Sequence, residues 1–423
     1  MPATAERPAA FARPPQARIY YGWPMLLLAA WAMTCTLPGR THGLGLITGP
    51  LTADPALGVS EPQFAVLNFW AILLGSLLCL PTGRLLDRFG SRSVLTAVAL
   101  GLGAAVLIMS RVTNATALFV VLTLVRGLGQ GALSVVSMAL VGKWFTRRLG
   151  LAMGLYTVLL SIGFIATTVG LGQAVTDVGW RSAWQGVGLV LLVGLALPAL
   201  LLTRNTPEAL GQTDGGADPG ETPNRGYSLS AALRTPMFWA FGLGAALFNL
   251  AWSAITLFNE SILAERGFDR DAFVQVMAVL VFIGLPANLL TGWAAQKVPA
   301  GRLLAIGMAL LALSLVSFPF VATKGQVMLY AAALGASGGI VTVLFFTSFA
   351  QAFGRAHLGA VQAAVQVLTV VASALGPVVL TQTKAAIGSY APFFFVAAPL
   401  ALLLGLAAWW APWPAGERAR AAA

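Results

Sequence analysis

The sequence predicts an all-α membrane protein with twelve transmembrane helices in two pseudo-symmetric six-helix bundles and both termini in the cytoplasm. Three observations support this: the composition, a series of apolar runs and an internal repeat. Hydrophobic residues make up 58% of the 423 residues, charged residues only 9%, and the mean hydropathy is +0.83. A water-soluble chain cannot hide that much apolar surface, whereas a lipid-exposed one need not. At roughly 20 residues per crossing, about twelve helices fit.

Apolar runs long enough to cross a bilayer recur along the whole chain. We predict them at 21–50, 62–82, 93–110, 116–141, 151–174, 183–203, 236–258, 273–295, 302–322, 327–350, 358–381 and 389–411. They divide the chain into a cytoplasmic N-terminal tail at 1–20, a first bundle at 21–203, a cytoplasmic linker at 204–235, a second bundle at 236–411 and a cytoplasmic C-terminal tail at 412–423. The linker is rich in Asp, Gly and Pro, as solvated connections are, and Ser228–Arg234 is expected to form a short interfacial helix.

The basic residues indicate the orientation of the spans. With the N-terminus in the cytoplasm, about seventeen Lys and Arg fall on inner segments and about six on outer loops, which is the asymmetry of inner-membrane proteins. Because these residues stand at the ends of apolar runs, the net charge of +11 does not indicate a nucleic-acid partner. The sequence therefore predicts a multi-pass protein of the cell inner membrane, a monomer surrounded by the lipid bilayer.

Catalytic and metal chemistry find no support in the sequence. The two cysteines, Cys35 and Cys79, fall inside apolar runs and offer neither a disulfide framework nor metal-ligand spacing. The chain has no His-Glu-x-x-His sequence and no paired aspartates within a span. We therefore expect neither an enzyme nor a bound cofactor.

The loop after the second run, Gly83–Arg92, carries the most specific motif. A weaker copy follows the eighth run, between Gly292 and Arg302, and the segments Phe145–Gly150 and Phe353–Gly359 correspond at a similar offset of about 209 residues. These offsets indicate two halves related by a parallel repeat.

The Gly83–Arg92 segment resembles the loop signature Gly-x-x-x-Asp-Arg-x-Gly-x-Arg of the major facilitator superfamily at every defining position. The resemblance implies a secondary transporter with alternating access, in which this segment latches the two halves in the outward-facing state. The alternative is a merely solvated charged turn. The residues to which the resemblance assigns a gating role are Gly83, Asp87, Arg88, Gly90 and Arg92.

Further motifs of the superfamily are matched in part. Arg126–Gly131 resembles its Arg followed by a Gly-rich helix, and no Gly-Lys-Ser/Thr follows as a phosphate loop requires. In span 5, Thr167-Thr168 stands where the antiporter signature has Gly-Pro, which argues against a proton-driven drug exporter. Other segments resemble the branch of monocarboxylate transporters and oxalate–formate antiporters, which implies an organic-anion substrate. These segments are Tyr21-Gly22-Trp23, Gly179-Trp180-Arg181, Arg204 with Pro207-Glu208, Thr235–Trp239 and Gly376-Pro377.

Charged side chains inside a span cost roughly 2.5–3.5 kcal/mol on insertion scales, so each needs a reason. Arg40 follows Pro38-Gly39 within an apolar run too long for a straight crossing, which predicts a broken helix whose irregular turn faces a cavity. In the monocarboxylate branch a lysine of span 1 binds the carboxylate, and the resemblance implies that role for Arg40. The alternative is that span 1 ends near Pro38 and Arg40 extends to the outer interface.

Polar stripes mark three other spans. Arg126, Gln130, Ser134 and Ser137 share one helical face, as in a water-filled cavity, and bracing of neighbouring helices by Arg126 is the equal alternative. Stripes in spans 7 and 11 predict a lining that hydrogen-bonds a small polar ligand, with interhelical bonding as the alternative. The predicted substrate-binding residues of these two spans are Asn249, Trp252, Ser253, Thr256, Gln362 and Gln366.

The coupling ion stays open at this point. Proton-linked members of the branch use an Asp and Arg pair in span 8, but here the span from Ala272 to Ala295 carries no charge. Glu260 lies near the outer end of span 7, and His42 is of a residue type whose ordinary pKa is near neutral, with a plain hydrogen-bonding role as the alternative. Both are coupling candidates, and His42 is also a candidate substrate ligand. Symport with a proton, exchange for a counter-anion and uniport are all compatible with the sequence.

Two arginines within spans against one peripheral acid give the expected cavity a net positive potential, which favours anions. The sequence therefore predicts a secondary active transporter for a small organic anion of the monocarboxylate kind. The alternative is an exporter of drugs or hydrophobic compounds from the same superfamily, which would normally carry acids in its binding cavity. Uptake of neutral solutes or peptides is a further alternative.

Overall fold

A computed structural model of the chain describes residues 20–146, 148–212 and 226–414, and all regular structure within these ranges is helical. Most of both predicted tails and the middle of the linker lie outside the described residues. The helices of the first half are α1 (Gly22–Thr34), α2 (Thr41–Thr52), α3 (Glu61–Ser76), α4 (Cys79–Met109), α5 (Ala115–Val125), α6 (Ser134–Trp144), α7 (Leu149–Val178), α8 (Trp180–Leu189) and α9 (Leu197–Leu202). Two π-helical segments, Arg126–Leu133 and Val190–Ala196, join α5 to α6 and α8 to α9.

The second half repeats the pattern with longer unbroken helices. They are α10 (Leu229–Ala232), α11 (Pro236–Glu265), α12 (Arg270–Ala294), α13 (Ala300–Ser317), α14 (Lys324–Phe353), α15 (Leu358–Ile387) and α16 (Ala391–Trp410). Short 3₁₀ turns lie at Leu37–Gly39, Glu208–Leu210 and Phe318–Phe320. The helix expected before span 7 is the single turn α10, which begins after Ser228, whose hydroxyl accepts a hydrogen bond from the Ala231 amide at 3.3 Å.

Ten helices in the described part of the chain are long and apolar enough to cross a membrane. One of them, Gln63–Met109, has 47 residues, more than twice the length of one crossing. It contains the predicted second and third runs, and Gly90, with a φ of 80°, interrupts its helical path between them. The predicted first run is absent from the ten because α1 and α2 have only 13 and 12 residues.

The first run is a broken helix, as its sequence predicted. The chain leaves α1 after Thr34, makes the 3₁₀ turn that contains Pro38 and Gly39, and adopts an extended conformation at Arg40 before α2 begins. Proline cannot donate to an α-helical ladder. At Gly39 a Cβ atom would lie 2.5 Å from the carbonyl oxygen of Val125, so only glycine allows the turn to pack against the start of the π-helical segment.

Each half of the chain has its own apolar core. One core gathers buried side chains of α1–α9, among them Trp144 and Trp184, and the other gathers those of α10–α16, among them Phe238 and Phe394. The first core also takes in four buried residues of α14 and α15, namely Phe346, Ala350, Leu358 and Ala363. Large apolar side chains such as Phe282 remain exposed on the outside of the helices. Two bundles with largely separate cores and apolar exteriors are suited to moving against one another within lipid.

The two bundles touch backbone to backbone at one end of the molecule, which we call the Asp87 end. There a Cβ atom on Gly83 would clash with the carbonyl oxygen of Gly359, and one on Gly150 would lie 2.5 Å from that of Gly292. We call the opposite end the open end.

At the open end, glycines have free space around them. A Cβ atom on Gly45 or Gly49 of α2, or on Gly170 of α7, would meet nothing within 4 Å. Among the described residues, the hydrogen bonds that join the two bundles lie at the Asp87 end or near mid-span, and none lies at the open end.

Candidate functional site

A cavity of about 710 Å³ lies between the two bundles. The first bundle contributes α1, the turn before Arg40, the π-helical segment, α6 and α7, and the second contributes α11, α12, α14 and α15. At roughly 30 Å³ per water molecule, a cavity of this size holds about two dozen waters. Pockets of this volume accept ligands of drug size, and a position between two domains is a frequent place for them.

Arg40 is the only charged residue among the described residues that line the cavity. Its Nε donates to Thr36 Oγ1 at 2.6 Å, and its Nη2 lies 3.2 Å from both Met33 Sδ and Ser134 Oγ. The guanidinium also lies 5.2 Å from the ring centre of Phe164. Within the described part of the chain no carboxylate pairs with Arg40, and its Nη1 has no acceptor. The first bundle therefore holds the side chain in place and leaves its charge and two N–H donors unmatched.

Arg126 lies behind the cavity wall and does not line it. Its Nε and Nη2 donate to Asn68 Oδ1 at 3.0 and 2.6 Å, and its Nη1 donates to the carbonyl oxygen of Gly39 at 3.0 Å. Longer contacts reach Thr41 and Gln130, and Arg126 is only 2% exposed. Of the two predicted roles for this residue, the geometry is that of a brace, which connects α3 to the broken first span and to its own helix.

In the second bundle the cavity wall contains Asn249 and Trp252 of α11 and Gln366 of α15. Trp252 stacks on Phe248 at 5.6 Å between ring centres and 26° between planes. Gln366 Nε2 donates to the carbonyl oxygen of Gln130 at 3.1 Å, a direct hydrogen bond between the bundles. The lining thus brings Arg40, Gln130, Asn249, Trp252 and Gln366 together.

Three other predicted residues, Ser253, Thr256 and Gln362, do not line the cavity. The Ser253 hydroxyl donates to the carbonyl oxygens of Leu250 and Ser373, which ties α11 to α15. Thr256 donates to the Trp252 carbonyl of its own helix, and Gln362 is fully buried among helices.

The two coupling candidates are outside the cavity or undescribed. Glu260 is exposed, two residues beyond a kink in α11 at Phe258, and does not line the cavity. The side chain of His42 lies outside the described part of the structure.

Several lining residues had no sequence prediction. The most informative is Asn288 of α12, which is 8% exposed and whose Oδ1 is buried without a hydrogen-bond partner in the described structure. An amide in the middle of an otherwise apolar run is a signal in its own right, because polar groups within a span need partners. Others are weakly polar or aromatic and carry no such signal, namely Thr157, Ser161, Thr168, Phe164, Thr342, Phe345 and Phe346.

The Gly83–Arg92 segment lies at the Asp87 end and contacts the other bundle. Asp87 Oδ1 and Oδ2 accept hydrogen bonds from the backbone amides of Gly359 and Ala360, each at 2.9 Å. These amides belong to the first turn of α15, where N–H groups have no partner within the helix and the helix dipole attracts negative charge. Lys143 Nζ lies 3.8 Å from Asp87 Oδ1. The carboxylate therefore joins α4 to the start of α15.

The remaining residues of this segment have local roles. Gly90 adopts a φ of 80°, the left-handed region that favours glycine, and so allows the chain to turn from one span into the next. The Arg92 backbone amide donates to Asn205 Oδ1 at 3.0 Å, and the Arg92 Nε donates to the Leu200 carbonyl at 2.7 Å. Arg88 is exposed, with its guanidinium 5.3 Å from the Phe89 ring centre.

A second contact between the bundles lies at the same end. Arg355, which follows α14, donates to the Lys143 carbonyl at 2.6 Å and to Glu208 Oε1 at 2.7 Å. Burial alone raises the pKa of Glu208, but hydrogen bonds from its own backbone amide and from Arg355 outweigh burial and lower the pKa below its usual value. Asp87 and Arg355 thus make reciprocal contacts, since each caps a helix end of the opposite bundle.

A family profile described as the Major Facilitator Superfamily matches residues 22–377. The chain belongs to this superfamily. Its all-helical architecture is the major facilitator fold, and it is a multi-pass membrane protein. Among curated relatives, bovine (Bos taurus) monocarboxylate transporter 13 is 23% identical over 383 residues, which cover 89% of this chain and 86% of that protein. The uncharacterized MFS-type transporter YhjX of Escherichia coli is 24% identical and covers 76% of this chain and 81% of its own length.

Solved structures of the superfamily share the fold at lower identity. The human organic anion transporter MFSD10 aligns with a TM-score of 0.63 and 18% identity over 93% of this chain and all of its own. The transporter FucP in its outward conformation aligns with a TM-score of 0.67 and 15% identity, over 92% of this chain and 99% of its own.

Proposed function

We propose that this transporter is a secondary active carrier that moves a small, monocarboxylate-like organic anion across the cell inner membrane by alternating access. The observation that carries the proposal is Arg40, a cation in the cavity wall with no carboxylate partner in the described part of the chain. A carboxylate from a substrate is the group that matches a guanidinium with free N–H donors.

Electrostatics favour an anion at this place. A charge within a membrane-spanning segment is retained at a cost of several kcal/mol, so a residue that keeps one usually serves a ligand or a pathway. Arg40 also directly precedes α2, and the N-terminal end of a half-helix adds positive potential through its dipole. A lipophilic cation would meet this potential without any acid in the described lining to offset it, which argues against the alternative of a cationic-drug exporter.

The printed names of similar proteins support the same substrate class. Monocarboxylate transporters 13 and 11 and a probable L-galactonate transporter of Escherichia coli are among the curated relatives, and MFSD10 is described as an organic anion transporter. These names refer to monocarboxylates, to L-galactonate and to organic anions.

We infer twelve crossings with both termini in the cytoplasm. The count follows when α1 and α2 form one broken span and Gln63–Met109 is counted as two spans divided at Gly90. The Asp87 end then faces the cytoplasm, and the cavity opens to the outside. In this arrangement Gly83, Asp87 and Gly90 act with Arg88 and Arg92 as the latch of the outward-open state.

The unpaired charge of Arg40 bears on whether the carrier performs net transport or exchange. If the bundles closed around a vacant site, they would bury the Arg40 charge without a partner, which costs several kcal/mol, whereas a bound anion neutralises it. The return of the empty carrier is therefore disfavoured, and we propose that exchange for a counter-anion is faster than net transport.

Binding to the purified transporter tests the substrate class. Pyruvate, lactate and several lipophilic cations are titrated against wild-type protein, Arg40→Gln and the control Arg111→Gln, which alters an arginine exposed outside the cavity. We expect a carboxylate to stabilise the wild type and Arg111→Gln, and to bind Arg40→Gln roughly 10- to 100-fold more weakly, because a charge-assisted bond pair is lost. Stabilisation by cations only, unaffected in Arg40→Gln, would favour the exporter instead.

A further inference from the structure

The wall opposite Arg40 is aromatic and uncharged. Trp252 is half-buried and lies against the buried ring of Phe248. Both rings reach Gly338 of α14. A Cβ atom at Gly338 would lie 3.3 Å from Phe248 Cζ and 3.6 Å from Trp252 Cζ3. The two rings form an offset stack that meets α14 at Gly338, where the lack of a side chain lets them pack against the helix. We call Phe248 and Trp252 the aromatic plate.

The polar groups near the aromatic plate are neutral. The second bundle contributes Asn249, Asn288 and Gln366 to the lining but no charged residue among those described. The side-chain amides of Asn249 and Gln366 each donate a hydrogen bond to a backbone carbonyl, whereas the buried amide oxygen of Asn288 has no hydrogen-bond partner in the described structure. This half of the cavity can pair with an uncharged polar group, but it cannot neutralise a second anionic charge.

The cavity is also large for a three-carbon acid. A volume of about 710 Å³ holds about two dozen waters, and a molecule of six heavy atoms bound at Arg40 would not reach across it. When the bundles close, the second bundle must contact some surface of the ligand. Its aromatic plate is complementary to a ligand surface that is apolar and planar.

We propose that the preferred substrate is a mono-anion with an aromatic body, its carboxylate on Arg40 and its ring on the plate of Phe248 and Trp252. This inference rests on the proposed anion transport and adds the part of the substrate that the second bundle recognises. Aromatic rings prefer offset-stacked or edge-to-face contact, and half-exposed Trp252 offers both. Short acids lack the ring, and a second carboxylate would lose its hydration beside neutral amides without a counter-charge.

A matched set of ligands tests each part of this proposal by equilibrium binding to the purified full-length transporter. The set comprises 3-phenylpropionate, propionate, the neutral amide 3-phenylpropionamide and the dicarboxylate 3-(4-carboxyphenyl)propionate. We expect 3-phenylpropionate to bind roughly 10- to 100-fold more tightly than propionate, from burial of the ring. We also expect the dicarboxylate to bind at least about 10-fold more weakly than 3-phenylpropionate, and the amide to show no binding.

Variants of the plate identify the surface that contacts the ring. Trp252→Leu should weaken the binding of 3-phenylpropionate by roughly 2- to 10-fold and leave the binding of propionate unchanged. Trp252→Phe, which keeps a ring, should restore most of the affinity and is also the variant to use if the leucine variant does not fold. The control Trp293→Leu changes an exposed tryptophan of α12 outside the cavity and should bind all ligands as the wild type does.

The outcomes separate this inference from the proposed function. If propionate and 3-phenylpropionate bind equally well through Arg40, or if Trp252→Leu weakens both by the same factor, the aromatic body is refuted and anion transport stands. Tighter binding of the dicarboxylate would also refute it. If none of the carboxylates binds in an Arg40-dependent manner, both proposals fail together.

Discussion

The substitution Asp87→Asn tests the contact that joins the two bundles at the Asp87 end. The substitution keeps the size of the side chain and removes its charge and one of its two acceptor oxygens. In the wild type both oxygens accept from backbone amides at 2.9 Å, and Lys143 lies 3.8 Å from one of them. Asparagine therefore retains one neutral hydrogen bond to α15 and leaves the other amide without an acceptor.

The expected cost follows from these contacts. A hydrogen bond to a charged group contributes about 1.5–3 kcal/mol and a neutral one about 0.5–1.5 kcal/mol. The variant loses one charged bond, weakens the other and loses the attraction of the carboxylate to the helix dipole, about 0.3–1 kcal/mol. Relief from the desolvation of a largely buried carboxylate offsets part of this sum. We expect the closed arrangement of the Asp87 end to lose about 2 kcal/mol, or roughly a 30-fold shift in its opening equilibrium.

Hydrogen exchange of the first turn of α15 measures this directly. Amides in the first turn of a helix have no intrahelical acceptor, so protection of Gly359 and Ala360 reports on Asp87 itself. We expect a peptide containing these residues to exchange roughly 30-fold faster in Asp87→Asn, while Asp177→Asn, at an exposed aspartate at the end of α7, leaves it unchanged. Equal exchange in wild type and Asp87→Asn would mean that the carboxylate does not hold the bundles together, and the latch would have to be assigned elsewhere.

Two further predictions concern the brace and the glycine contacts. Arg126→Gln should lower the free energy of unfolding by about 2–4 kcal/mol, because the Asn68 amide oxygen and the Gly39 carbonyl lose their donor. Thermal unfolding of the purified variant measures this loss. A variant that is as stable as the wild type and only fails to bind anions would contradict the bracing role. Gly83→Ala should cost about 1–3 kcal/mol of closure at the Asp87 end, because its methyl group would meet the Gly359 carbonyl. Hydrogen exchange there should rise in Gly83→Ala but not in Gly170→Ala, where the methyl group meets open space.

The fold was largely readable from the sequence because its determinants are local. Apolar runs mark crossings by their length, and Pro38-Gly39 marked the break in the first span because these residues interrupt a helix wherever it lies. The boundary between the second and third runs was also visible, since it coincides with the charged segment that ends at Arg92. A repeat at a constant offset indicated two bundles without any knowledge of their contacts.

The site was readable only in part because a helical face depends on the local helix type. Arg126, Gln130 and Ser134 share a face of an ideal α-helix, yet only Gln130 and Ser134 line the cavity. The segment Arg126–Leu133 is π-helical, and its wider turns change the direction of the side chains relative to a regular α-helix. Spacing alone could not reveal that change. Nor could it reveal that the amide oxygen of Asn68, 58 residues away in the chain, would accept hydrogen bonds from Arg126.

The contacts across the two bundles were beyond sequence reasoning for a different reason. The partner of Asp87 is a pair of backbone amides 272 and 273 residues away, and a backbone amide is no sequence signal because every residue except proline has one. The same holds for the carbonyl of Lys143, which accepts from Arg355. A motif can therefore identify one half of a backbone-mediated contact, whereas the other half appears only with the fold.

The division of chemistry between the bundles bears on how the carrier would close. Arg40 donates hydrogen bonds to Thr36 and Ser134 of its own bundle, and these bonds would carry the cation with that bundle when the bundles move. The opposite wall offers an aromatic plate and neutral amides, and its described residues carry no negative charge that could neutralise a guanidinium. The proposed ligand, with a carboxylate at one end and an apolar body at the other, would contact both walls at once. The substrate would thus supply the contacts that make closure favourable, and a vacant cavity would stay open until an anion enters it.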